Sequence, residues 1–236
     1  MTEVKDSLLL VAREMRRPWM QVRQLALSQE GVLGADAVAR DEMVAVSERA
    51  MRQVEDLLRM ERLEMYEDEP VVVRKVCETV AERMDKVFRK NRRDFEVEYT
   101  NRTRLVMANA ELLAAVVYNF LLNAVQYTAE GEKAVLTVSE RAQRVRVAVR
   151  DFGPALPMEF WREFERGLVR EPEAIAMRPG SSGLSLVIVN EFARQMHAKV
   201  GAVRHRDGAS FYVELEKVLP VSLFDEVGLL DGARRG

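Results

Sequence analysis

Apolar residues in the first part of the chain recur at steps of three and four. Leu8, Val11, Met15, Trp19, Val22 and Leu25 share one helix face, so the spacing predicts a helix over about 4–30. "EGVLGAD" (Glu30–Asp36) supplies two glycines and a capping aspartate, which reads as a turn. A second helical pattern runs to about Met65, with the lines Met43–Ala50–Leu57 and Val44–Met51–Leu58–Met65 each repeating every seven residues. So wide a seam calls for more than one partner helix, and two such hairpins joined in a four-helix bundle satisfy it. The alternative is a monomeric hairpin packed on its own second domain.

After the acidic, proline-ended hinge "YEDEP" (Tyr66–Pro70) the period changes. Val71–Arg89 and Glu111–Tyr127 read as helices. "FEVEY" (Phe95–Tyr99) and "RLVMA" (Arg104–Ala108) read as short strands, and "AVLTVSE" with "RVRVAVRD" alternates as a β-hairpin. A helix over about Leu184–Met196 and the strands "KVGAVRHR" and "ASFYVELE" complete the pattern. Mixed strands and helices after a purely helical hairpin indicate two domains of different class. The expected division is a helical hairpin over 1–66, a mixed domain over 67–217 and a tail over 218–236, with no internal repeat.

The totals narrow the classes. With 236 residues, 48% of them hydrophobic, 31% charged and a net charge of −2, this is a globular composition without the basic excess that nucleic acid requires. The one cysteine, Cys77, forms no internal disulfide, which sets a reducing, cytoplasmic expectation. No apolar run is long enough to span a bilayer, so no membrane segment is expected in this chain. "LLAAVVYNFLLNAV" (Leu112–Val125) is a buried helix instead. Of the two histidines, His197 and His205, neither sits in a pattern that suggests chemistry.

Four stretches of the second domain carry candidate chemistry. Asn119 and Asn123 in "NFLLNAVQYT" share a helix face, and two buried amides need a polar partner. In "RDFGPALP", Asp151 ends a strand just before Gly153 and Pro154, where a carboxylate can accept from an exocyclic amine. "EFWREFERG" places Phe160, Trp161 and Phe164 on a charged segment. "RPGSSGLSL" is a Gly/Ser-rich loop opening a helix, whose amides form a ready anion site.

Together these stretches resemble the catalytic core of a bacterial sensor histidine kinase from about Ser7 to Leu215. The second domain resembles the ATP-binding domain shared with gyrase-, Hsp90- and MutL-type proteins. The resemblance implies an α/β sandwich after a two-helix hairpin that dimerises to a four-helix bundle. It places the N box at "NFLLNAVQYT", with Asn123 at the Mg²⁺-coordinating position and Asn119, Gln126 and Tyr127 beside the nucleotide. It places the G1 box at "DFGPA", with Asp151 reading adenine and Gly153 and Ala155 beside it. Phe164 stands for the F box, and Gly180, Gly183 and Leu184 for the G2 region. Leu168–Pro179 is then the ATP lid, with Arg170 and Arg178 as phosphate-facing candidates.

"AREMRRPW" resembles the H box around the bending Pro18, with Glu14 and Arg16 in place. Arg13 stands where the phosphoacceptor histidine belongs. A guanidinium stays protonated and offers no lone pair, so Arg13 cannot take a phosphoryl group by ordinary chemistry. Arg17 stands where a polar residue would position water for dephosphorylation. Gln126 replaces a lysine, while Ala155 and Ser185 replace glycines.

The expected function is therefore a degenerate histidine-kinase-like protein of two-component signalling. It would bind ATP or ADP with Mg²⁺ without autophosphorylating its own helix. It would form a homodimer through the hairpin and engage a response regulator or a histidine kinase. The alternatives are a kinase acting on a partner's histidine in a mixed dimer, or a phosphotransferase-like docking module. A serine kinase of the anti-sigma type shares the ATP-binding fold but lacks the N-terminal hairpin.

Overall fold

The computed structural model describes Ala12, Met15, 19–24, Leu27, 35–99, 105–166, Arg178 and 183–218. Arg13, Glu14, Arg17, Pro18, Arg170 and Gly180 lie outside the described residues, as does the tail beyond Val218. Every described residue before Ala35 is helical. Helix α1 (Ala35–Glu61) follows and passes through a short 3-10 turn at Leu63–Met65. It buries Val54, Asp56, Leu57 and Met60, while Met43 and Val46 on the same helix are exposed.

From Ala35 onward the expected elements recur in order, and a strand at Glu69–Val72 and a helix at Met158–Glu165 come in addition. The stretch expected to run from hinge to helix contains strand β1 (Glu69–Val72), and helix α2 spans Val73–Lys90. Strand β1 pairs antiparallel with β3 (Leu105–Ala108) in a two-stranded sheet. Pro70 is tolerated because, among the described residues, β1 pairs with β3 alone. The run "PVVV" hid the strand by reading as the start of a helix.

The main sheet has five strands in the order β2-β4-β5-β7-β6. These are β2 (Asp94–Tyr99), β4 (Lys133–Arg141), β5 (Arg144–Asp151), β6 (Lys199–His205) and β7 (Gly208–Glu216). Only β2 and β4 pair in parallel; the other neighbours are antiparallel.

Helix α3 (Ala110–Tyr127) lies against this sheet and touches α2 and α5 (Leu184–Gln195). Asn109 caps it, accepting from the amides of Glu111 at 3.0 Å and Leu112 at 3.1 Å. Being apolar nearly all round, α3 buries Leu112, Leu113, Val116, Val117, Phe120 and Leu121 at the centre of the core. Helix α4 (Met158–Glu165) covers β6. The outcome is the expected α/β sandwich, with α1 packed against α5.

Candidate functional site

Asp151 takes its place from the period of β5. Val145, Val147 and Val149 point into the core, and the next inward position is Asp151, 1% exposed. A carboxylate forced inward needs donors. Its Oδ1 accepts from the amides of Ala209 at 3.2 Å and Gly153 at 3.3 Å. Gly208, with φ +139°, brings its backbone so close that a Cβ there would strike the Asp151 carbonyl. Gly153 serves the other side, since a Cβ on it would collide with the Tyr127 carbonyl. The segment after Asp151 is fastened to the end of α3, where the Ala129 amide donates to the Phe152 carbonyl at 2.8 Å.

Aromatic rings wall the same end of the sheet. Phe164 on α4 is buried, meeting Phe211 of β7 edge-on at 5.8 Å between centroids and stacking with Phe160 at 6.0 Å. Helix α4 is pinned by the Trp161 indole, which donates to the Ala202 carbonyl at 2.7 Å. Tyr127, at the last turn of α3, is half-buried beside this cluster.

The slot between Tyr127 and Phe211 holds the guanidinium of Arg178. Nη1 donates to Asp151 Oδ2 at 3.0 Å and Nη2 to Oδ1 at 2.8 Å. Nε and Nη2 also donate to the Pro154 carbonyl, at 3.2 and 2.9 Å. The guanidinium carbon lies 4.7 Å from the Tyr127 ring centroid and 5.8 Å from that of Phe211. Both partners of this ion pair are 1% exposed.

The two asparagines of α3 part company. Asn119 is buried, and its amide nitrogen donates to Asp56 of α1 at 3.1 Å and to the Ala115 carbonyl at 2.9 Å. Asn123, one turn on, is half-buried. Around Asp56 the helical arm is latched to the second domain. Arg59 donates to Asp56 at 2.8 Å, Arg52 lies 4.2 Å over the Tyr118 ring, and Gln53 donates to Ser185 at 3.4 Å. Burial pushes the Asp56 carboxyl above its ordinary 3.8, against the opposing pull of Asn119 and Arg59. At the start of α5, Gly183 is the N-cap, in the left-handed conformation at φ 70°.

Residues 108–219 match the family described as histidine kinase-, DNA gyrase B-, and HSP90-like ATPase. These residues belong to that ATPase family. With the helical arm, the chain is similar to histidine-kinase catalytic cores. Sensor histidine kinase AruS of Pseudomonas aeruginosa is 26% identical over 224 residues, 90% of this chain and 22% of its own length. Sensor protein kinase PmrB of the same organism is 30% identical over 52% of this chain and 25% of its own. The chain thus spans about a quarter of the length of these relatives.

Among solved structures, full-length ShkA in complex with AMPPNP superposes with a TM-score of 0.64 at 23% identity, over 91% of this chain and 47% of that one. Acinetobacter baumannii histidine kinase AdeS gives 0.58 at 17% identity, over 85% and 95%. At these identities the likeness is one of fold.

In the vocabulary of the kinase core, the structure gathers Tyr127, Asp151, Gly153 and Phe164 at one end of the sheet. Gln126 and Ala155 are half-buried at the same ends of α3 and β5, and Gly183 and Leu184 open α5. It places the Asn119 amide on the arm. Of the stretch Leu168–Pro179, expected to be the lid, only Arg178 is described, and its guanidinium meets the Asp151 carboxylate. Sequence reasoning missed Asp56 and Phe211. Asp56 was findable, since it lies four residues before Met60 on the buried stripe of α1. His205 bonds to Ser210 at 2.9 Å, and His197 is exposed.

Proposed function

We propose that this chain is a nucleotide-binding, histidine-kinase-like module of two-component signalling that does not phosphorylate its own helix. The observation that carries the proposal is Arg13 in "AREMRRPW", an ever-protonated side chain where the phosphoacceptor should stand. The ligand is ATP or ADP. The inward carboxylate of Asp151 suits the exocyclic amine of adenine, and Tyr127 with Phe211 offers ring faces for a base. Gln126, Gly153, Ala155, Phe164 and Leu184 complete the pocket by the family pattern. The start of α5 at Gly183, together with Gly180, suits phosphate by the family pattern.

Among the described residues no group of three or more His, Cys, Asp or Glu could hold a metal ion. Mg²⁺ would arrive with the phosphates and take Asn123 as its protein ligand. Asn119, one turn earlier on the same helix, acts at the arm through Asp56. Among the described residues no helix is long and apolar enough to cross a membrane.

The exposed Met15, Met20, Met43 and Val46 support a homodimer through the hairpin. A response regulator or a histidine kinase is the further partner. A second reading, phosphorylation of a partner's histidine in a mixed dimer, is favoured by the retained Asn123 and Asp151.

The test is a calorimetric titration with Mg²⁺ and a non-hydrolysable ATP analogue, repeated with Asn123→Ala and followed by incubation with radiolabelled ATP. Binding that Asn123→Ala abolishes, with no label retained on this chain, is the expected result. Stable label on the chain would sink the proposal.

A further inference from the structure

We propose that Arg178 is an intramolecular occupant of the base pocket, a guanidinium that a nucleotide must displace before it can reach Asp151. The inference rests on the nucleotide-binding reading above and adds a regulatory step to it.

A purine in this slot would need an acceptor for its exocyclic amine and a ring face to lie against. Arg178 takes both. Two N–H groups meet the two oxygens of Asp151, at 2.8 and 3.0 Å, and the planar guanidinium lies near the rings of Tyr127 and Phe211. Its other contacts go to the Pro154 carbonyl, within the turn that follows Asp151. With Arg178 and Asp151 both 1% exposed, no ligand atom reaches the carboxylate while the pair is closed. An arginine that served only to meet phosphate would have no cause to bury its head on the base-reading residue.

The consequence is a tax on affinity. A ligand that needs the open pocket binds more weakly in proportion to the fraction of molecules in which it is open. Removing the occupant therefore tightens binding, whereas removing a phosphate contact loosens it. The sign of the effect separates the two roles.

The experiment is a titration of the full chain with adenosine, Mg-ADP and a non-hydrolysable Mg-ATP analogue. Wild type, Arg178→Met and Arg178→Lys are compared, with circular dichroism to confirm folding. Lysine keeps a charge beside Asp151 but cannot reproduce the two-pronged contact, so it serves if the methionine variant does not fold. About tenfold or greater tightening by Arg178→Met is expected, and a smaller tightening by Arg178→Lys. The gain should be similar for adenosine and the nucleotides, because it arises at the base.

Unchanged or weaker binding by the folded variants would overturn the occupant and leave the nucleotide reading intact. Failure of every folded form, wild type included, to bind any of the three ligands would overturn both.

Discussion

Asp151 and Asp56 are both nearly fully buried, at 1% and 3% exposed, and each stands beside an arginine. Around Asp151 the arginine is buried as well and meets both carboxylate oxygens. Around Asp56 the arginine is half-exposed and meets one oxygen, while the amide of Asn119 meets the other. Burial still raises the Asp56 carboxyl, so its compensation is incomplete. A pocket held shut by a full charge pair and a junction held by a partial one should respond differently to mutation and to pH.

The largest effect should come from breaking the complete pair. Arg178→Met leaves Asp151 buried without its counter-charge, at a cost of about 3–5 kcal/mol. The midpoint of thermal unfolding should fall by roughly 6–20 °C, with partial recovery in the double variant Asp151→Asn/Arg178→Met. A midpoint within a degree or two of wild type would mean that the pair is not closed in solution.

At the junction the loss should be smaller. Asn119→Ala removes one hydrogen bond to a charged group, about 1.5–3 kcal/mol by urea unfolding. A cost as large as that of Arg178→Met would erase the contrast between the two sites.

The pH profile sharpens the comparison further. Asp56 titrates above its unfolded value, so the stability it contributes is complete below 3.8 and is lost as pH rises through its folded value. As pH rises above 3.8, wild type should therefore lose stability relative to Asp56→Asn. A flat difference would contradict the partial compensation. The smallest effect belongs to Arg59→Ala, where a half-exposed partner is worth about 0–1 kcal/mol.

Periodicity made most of the architecture legible. The helical arm, the long buried helix and the alternating hairpin all announce themselves in the spacing of apolar residues. Asp151 was legible too, because a two-residue period carried one step past Val149 puts it on the core face. Strand β1 escaped because four residues carry little pattern and Pro70 argues against a strand.

Pairings between distant segments were not legible. Arg178 and Asp151 are 27 positions apart, and Asn119 and Asp56 are 63 apart. No local rule selects one arginine among several, or turns one of two asparagines on the same helix face toward the arm. Only the folded neighbourhood decides which donor a buried carboxylate receives.

The anchored indole of Trp161 gives the molecule a native optical reporter. The chain has two tryptophans, one in the arm and one at the sheet end. Trp19 belongs to the arm, while Trp161 is held to the Ala202 carbonyl beside the Phe160–Phe164 stack. In a Trp19→Phe background the emission spectrum comes from the sheet end alone. Opening of the pocket could then be watched in real time without attaching a dye.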